Sequence, residues 1–217
     1  MSSGLVPFNV PGLSAAAQTW YQVVGDLNST KTPLVTLHGG PGACHEYLLP
    51  LTDLDVPIIF YDQIGNGQST HLREKKGDTS FWTIQLFIDE LNNLLRHLGL
   101  DNRPIDLLGQ SWGGMLGLEW AVTPEASNLR KLVLANSLAS NPLWNEGVRK
   151  LVEKMPQDLQ DFFKKGEETG DYQSEEYQAA VMEFFKLHMS LARPFPAKEL
   201  EKALYWLGSD DTTHSTM

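Results

Sequence analysis

The chain has 217 residues, 41% of them hydrophobic, and its 27 acidic residues against 17 basic ones give a formal net charge of −10. Such a chain can bury the core of a globular domain, while its negative charge argues against nucleic acid or an anionic membrane as a partner, since each would need a basic face. The N-terminus carries no basic region followed by an apolar block, and no stretch is long enough for a membrane span. We therefore expect a cytoplasmic protein.

Metal and cofactor signatures are not found in the sequence. Cys44 is the only cysteine, so no intramolecular disulfide can form, and the six histidines show no metal-ligand spacing. The GxGxxG pattern of dinucleotide sites and the Lys-Ser/Thr ending of a P-loop are also missing. We expect neither a metal nor a cofactor.

Short apolar segments and helical patterns alternate up to about residue 138. Strands are predicted over 19–26, 33–39, 57–62, 105–109 and 131–137 because each is short, apolar and closed by a turn residue. Helical periodicity predicts helices over 80–99, with Ser80 as N-cap and Gly99 as C-cap, and over 113–123. This alternation predicts an α/β fold with a mostly parallel sheet and helices on both faces.

The pattern changes after Ser137, where no further strand is visible. Amphipathic helices are predicted over 141–155, 157–168, 174–191 and 197–208, separated by proline and glycine. We therefore divide the chain into residues 1–138, the N-terminal part of an α/β core, and residues 139–217, an incomplete helical cap.

Ser111 stands between two glycines in the stretch "GQSWG", directly after a predicted strand and directly before a predicted helix. A serine needs exposure, a base and a stabilised oxyanion to act as a nucleophile, and the strand, GxSxG, helix pattern is typical of a nucleophile elbow. We predict Ser111 as the nucleophile and the backbone N–H of Trp112, at the helix N-terminus, as an oxyanion donor. The alternative is a tight structural turn.

A second glycine-rich segment, "LHGGPG" at 37–42, follows the strand over 33–39. Loops at this edge of an α/β sheet bind ligands, and we predict that the backbone N–H of Gly40 forms the other half of the oxyanion hole. A phosphate cradle is the alternative, disfavoured by the missing phosphate motifs. We expect His38 to hold the shape of this loop, and "YDQIGNGQS" at 61–69 to form a structural turn.

The stretches "HGGPG", "YDQIGNGQS" and "GQSWGG", in this order, resemble the proline iminopeptidase family of α/β-hydrolases, and "HEYL" after the glycine loop also looks like that family. The resemblance covers roughly residues 33–120. It implies an α/β-hydrolase core under a helical cap, and a serine peptidase that releases an N-terminal residue, often proline, from small peptides or amides. It also implies Ser111 as nucleophile and Gly40 and Trp112 as oxyanion donors.

The chain departs from this family after the predicted cap begins. Members place the triad acid and then the histidine after later strands, whereas here the only later histidines are His188 and His214. A compressed pair of Asp210 or Asp211 with His214 is disfavoured, because a triad needs each member held firmly by the scaffold. We predict that the triad Asp and His and the last core strands lie outside this chain, which alone is then inactive, and that the remainder is a separate polypeptide or absent.

The functional expectation is therefore a serine aminopeptidase that acts on a small peptide or amino-acid amide. Two alternatives stay open. One is an esterase or lactonase with the same machinery, since the cap selects the substrate. The other is a non-catalytic relative that binds a ligand or partner without turnover, which the missing Asp and His favour.

Overall fold

A six-stranded sheet is the centre of the fold in the computed structural model, which describes residues 1–217. Its order is β1-β2-β4-β3-β5-β6; β1 and β2 pair antiparallel, as do β2 and β4, while β3 to β6 run parallel. This confirms the predicted α/β class and the mostly parallel sheet. The strands are β1 Ser2–Phe8, β2 Ala17–Val24, β3 Leu34–Leu37, β4 Ile58–Asp62, β5 Ile105–Gln110 and β6 Leu129–Ala135.

Seven α-helices accompany the sheet: α1 Ile84–His97, α2 Trp112–Ala121, α3 Asn141–Val152, α4 Gln157–Thr169, α5 Glu175–His188, α6 Lys198–Ser209 and α7 Thr212–Thr216. The predicted start of α1 at Ser80 was wrong. Thr83 is the N-cap, because its side chain accepts a hydrogen bond from the Leu86 N–H, whereas Ser80 donates to Asp78 in the preceding turn. Gly99 follows the helix with a φ of 66°, as a C-cap glycine does.

The two faces of the sheet are covered differently. Side chains alternate along a strand, so Val35, Ile59 and Leu107 pack with α1 and α2 on one face, while Leu34, Ile58 and Phe60 point to the other. A 3-10 helix over Glu46–Asp53 covers that second face and contributes Leu48 to its apolar cluster. Helical elements therefore lie on both faces of the sheet, although α1 and α2 lie on the same face.

The chain divides into two compact units, Met1–Leu138 with Glu199–Met217, and Ala139–Lys198. The second unit begins directly after the predicted boundary at residue 138, while residues 199–217 of the predicted cap pack with the first unit. The last segment joins the core because Ala203 of α6 packs with Ala43 and Cys44, and Trp206 and Leu207 pack around them. In the second unit α4 and α5 pack through aromatic contacts such as Phe163 with Tyr177, whose ring centroids are 5.5 Å apart.

Strand β6 lies at the edge of the sheet and pairs only with β5. It is only partly covered, with Val133 and Leu134 45% and 46% exposed. No helix of the structure combines the length and the apolar character that crossing a membrane requires.

Candidate active site

Ser111 lies in the sharp turn between β5 and α2. Its backbone has φ 53° and ψ −120°, a conformation that non-glycine residues rarely adopt and that is found mainly at functional sites. The turn is held by backbone hydrogen bonds: the Ser111 N–H donates to the Ala135 carbonyl of β6, and the Gly114 N–H donates to the Ser111 carbonyl, both at 2.9 Å. The structure thus places Ser111 at the carboxyl end of the parallel strands.

Glycines on both sides of Ser111 permit this turn by close backbone packing. A Cβ at Gly109 would overlap the carbonyl of Gly113, and a Cβ at Gly113 would overlap the carbonyl of Leu37 in β3. The glycines of "GQSWG" are therefore required sterically, because α2 runs directly against β3 and β5.

The loop after β3 borders the Ser111 turn. Leu37 pairs with Gly109 in the parallel register, so both strands end at the same place, and a Cβ at Gly39 would lie 3.2 Å from the Cβ of Ser111. Gly40 follows with a φ of 116°. Neither the Gly40 N–H nor the Trp112 N–H donates a hydrogen bond within the protein, so two backbone donors are free, one directly after Gly39 and one directly after Ser111.

His38 is fully buried at the start of this loop, and both of its ring nitrogens are occupied. Nε2 accepts a hydrogen bond from the Gln63 N–H at 3.0 Å, and Nδ1 donates to the Gly39 carbonyl at 2.8 Å. Burial lowers the pKa of His38, which favours the neutral ring. With both nitrogens engaged, the ring shapes the loop and has no free nitrogen to take a proton from Ser111.

Gln63, in the turn after β4, connects the two halves of the site. Its Nε2 donates to the His38 carbonyl at 3.1 Å, and its Oε1 accepts from Trp112 Nε1 at 2.9 Å. The turn at 61–69 was predicted only as structural, and Gln63 was not predicted as part of the site. The available signal was its place directly after a strand whose carboxyl end meets the ends of β3 and β5.

The tight turn at a strand end, the free donors and the sheet order are those of a known fold. Residues 32–204 match the family model of the alpha/beta hydrolase fold. The chain belongs to the α/β-hydrolase family.

Sequence identity to two relatives indicates which group of the α/β-hydrolase family the chain resembles. It is 39% identical over 174 residues to a proline iminopeptidase of Clostridium botulinum, covering 79% of this chain and 57% of the relative. It is 38% identical over 175 residues to that of Lactobacillus delbrueckii subsp. lactis, covering 79% and 58%. The predicted resemblance to proline iminopeptidases is therefore confirmed, and the chain spans somewhat less than three fifths of the length of these two relatives.

Solved structures agree with this placement. The crystal structure of VinJ is 43% identical and superposes with a TM-score of 0.90, covering 100% of this chain and 70% of VinJ. The crystal structure of a proline iminopeptidase from Mycobacterium smegmatis is 34% identical, with a TM-score of 0.82, and the match covers 98% of this chain and 69% of that one.

Asp62 ends β4 of the hydrolase as a buried carboxylate. Its Oδ1 accepts from the His45 N–H at 2.8 Å and from His45 Nδ1 at 2.9 Å, and its Oδ2 accepts from the Gln68 N–H at 2.9 Å. Burial acts to raise the pKa of Asp62, but these hydrogen bonds outweigh it and hold that pKa below its usual value. The carboxylate therefore fixes the turn after β4.

His45, Glu46 and Asp62 also bring three potential metal-ligand atoms within 4.8 Å of one another. The sequence carries no spacing signal for this group, because Asp62 lies 16 residues after Glu46. The Nδ1 proton of His45 is shared with Asp62, and Glu46 lies 3.3 Å from Lys202 Nζ. A cation would have to displace both of these interactions.

No acid–base pair accompanies Ser111 in the first unit of the hydrolase. The disfavoured pairing near the C-terminus is not formed: Asp210 accepts from His71, Asp211 pairs with Lys76, and His214 donates from Nδ1 to the Pro41 carbonyl at 3.2 Å. His188 is the other late histidine and lies at the end of α5 in the second unit. The Ser111 hydroxyl makes no hydrogen bond within the chain.

Proposed function

We propose that this α/β-hydrolase is a serine hydrolase that releases an N-terminal residue of the proline type from small peptides or amino-acid amides. The observation that carries the proposal is the strained backbone of Ser111, which has a φ of 53°. The backbone N–H groups of Gly40 and Trp112, in the neighbouring loop and turn, are free to donate. The names of the relatives, proline iminopeptidases, support the choice of substrate class.

In the proposed reaction the Ser111 Oγ attacks the substrate carbonyl carbon and loses its proton to a base. The N–H groups of Gly40 and Trp112 donate to the oxygen that becomes negative, as in an oxyanion hole. Collapse of this intermediate breaks the C–N bond, the leaving amine takes the proton, and water then hydrolyses the acyl-serine.

We further propose that the base and its acid partner come from polypeptide outside this chain. Two histidines of the first unit are engaged elsewhere: His38 binds Gln63 and Gly39 through its two ring nitrogens, and His214 binds the Pro41 carbonyl. Because loss of the triad histidine in a serine protease costs on the order of 10⁶ in kcat, the chain by itself is expected to turn over substrate very slowly.

A fluorophosphonate probe tests the nucleophile. The protein isolated from its source, together with any polypeptide that accompanies it, is expected to be labelled at Ser111, and Ser111→Ala is expected to abolish the labelling. A folded protein that is not labelled would favour a non-catalytic role and contradict the proposal.

Substrate class is tested by comparing a proline arylamide with a simple ester on the same sample. Faster release from the arylamide, lost in Ser111→Ala, supports the aminopeptidase. Hydrolysis of the ester alone would point instead to an esterase or lactonase.

A further inference from the structure

The hydroxyl of Tyr47 lies between the loop after β3 and the Ser111 turn. It accepts a hydrogen bond from the Gly39 N–H at 2.6 Å and donates one to Gln110 Oε1 at 2.7 Å. Gly39 directly precedes Gly40, and Gln110 directly precedes Ser111. One side chain thus links both segments that carry the proposed reacting groups.

The direction of both hydrogen bonds is fixed by chemistry. A backbone N–H can only donate, so the Tyr47 oxygen accepts from Gly39, and its single proton is left for the amide oxygen of Gln110. Burial raises the pKa of Tyr47, so the phenol keeps this proton across the neutral range. The linkage is therefore present at any pH at which the enzyme would work.

The lack of a side chain at Gly39 leaves room for the hydrogen bond between Tyr47 and Gln110. A Cβ at Gly39 would overlap Gln110 Oε1, so the absence of a side chain at position 39 lets the Gln110 amide approach the tyrosine. Gln63 ties the loop only to the indole side chain of Trp112. Tyr47 instead contacts the backbone N–H next to Gly40 and the residue before the nucleophile.

We propose that Tyr47 is a positioning residue for acyl transfer, which holds the Gly40 N–H in register with Ser111 and the Trp112 N–H. This inference rests on the proposed function. Oxyanion donors must be placed to within about half an ångström. Without the hydroxyl, the Gly39 N–H and Gln110 Oε1 lose their partners, and the loop is free to shift away from the serine.

Tyr61 provides a matched control in the same unit. Its ring is fully buried, whereas Tyr47 is partly buried, and its hydroxyl has no hydrogen-bond partner. Removing that hydroxyl leaves no group unpaired, so Tyr61→Phe should not lower activity or stability.

The test compares Tyr47→Phe and Tyr61→Phe with the wild type, using the protein as isolated with any accompanying polypeptide. Loss of one oxyanion donor costs about 10²–10³ in kcat, and a shifted donor should cost less. We expect Tyr47→Phe to lower kcat and the rate of fluorophosphonate labelling at Ser111 about 10-fold, with KM within about 2-fold of the wild type.

Hydrogen exchange at the Gly39 amide is the second readout, because it does not depend on turnover. Tyr47→Phe removes the acceptor of this N–H and should accelerate its exchange about 10-fold under native conditions, while Tyr61→Phe should leave it unchanged. A lower unfolding midpoint in Tyr47→Phe with kcat unchanged, or an equal loss of kcat in Tyr61→Phe, would overturn the inference.

The two readouts separate the possible failures. An inactive, unlabelled wild type whose Gly39 exchange still responds to Tyr47→Phe means that the proposed function fails while the linkage exists. An active wild type whose Gly39 exchange and kcat are both indifferent to Tyr47→Phe means that the inference fails while the function stands.

Discussion

Glu90 is a fully buried carboxyl on α1 that supports the turn after β4. It accepts hydrogen bonds from the Thr19 hydroxyl and from the Ile64 N–H, yet burial dominates and raises its pKa to about 8. The unfolded chain has a value of about 4.3. Between these pH values the folded protein holds a proton that the unfolded chain releases, so the stability due to the neutral carboxyl is complete below about pH 4 and declines as pH rises.

We therefore expect the free energy of unfolding to fall between about pH 5 and pH 8, with a slope of at most ~1.4 kcal/mol per pH unit from this group. Glu90→Gln mimics the neutral carboxyl and should flatten this dependence. Urea unfolding at several pH values measures both slopes. An unchanged slope in Glu90→Gln would assign the pH dependence to other groups.

At single residues, the sequence predicts what stands in a local motif and misses what acts across the chain. Ser111, Gly40 and Trp112 could be predicted as candidates because a glycine motif at a strand end indicates a tight turn, and they follow β3 and β5, which pair in parallel and end at the same edge of the sheet. Tyr47 and Gln63 contact the site from elements far away in sequence, and a single sequence carries no spacing signal for such contacts.

Among the elements, α6 and α7 contact the core through the apolar packing of Ala203 and through one buried carboxylate, Asp210. Asp210 accepts from His71 Nδ1, Arg73 Nε and the Thr212 N–H, and its side chain is 3% exposed. Burial acts to raise its pKa, but the bonds from Thr212 and His71 keep that pKa below the usual value. The neighbouring Asp211 pairs with Lys76, and its side chain is 51% exposed.

These adjacent aspartates offer a paired experiment. Leaving a buried hydrogen-bonding group without its partner costs about 1–3 kcal/mol, whereas an exposed ion pair contributes about 0–1 kcal/mol. Asp210→Asn should therefore release the segment 199–217, measured as faster limited proteolysis and hydrogen exchange there, while Asp211→Asn should change little. Equal effects of the two variants would show that Asp210 does not anchor the segment.

Whether an element could be predicted depended on the length of its pattern. Helices α3 to α6 were found within a few residues because three or more turns give a clear apolar period. Strand β1 was missed because it buries only Val6 and Phe8, and α7 because five residues carry too little periodicity. The association of residues 199–217 with the core was missed because it depends on tertiary contacts alone.

For the chain by itself, we expect the open edge of the sheet at β6 to promote self-association. An edge strand with unpaired backbone groups and exposed apolar side chains is a template for another chain, and Val133 and Leu134 are 45% and 46% exposed. We expect the chain to associate with increasing concentration.

Val133→Lys should suppress this association, because a charge on an edge strand opposes pairing. The matched control is Val122→Lys, since Val122 is 84% exposed at the end of α2 and lies on no strand. Light scattering across a concentration series measures the effect. Equal suppression by both variants would mean that net charge, and not the β6 edge, governs association.

The backbone of Ser111 carries a further consequence for thermodynamic stability. A non-glycine residue at φ 53° stores conformational strain on the order of 1–3 kcal/mol, and only glycine relieves it without moving the turn. Ser111→Gly should thus unfold at higher urea than Ser111→Ala, although both variants lack the proposed nucleophile. If it does, the serine at this position lowers the free energy of unfolding, as expected of a strained residue at a functional site. The difference in that free energy between the two variants measures the strain.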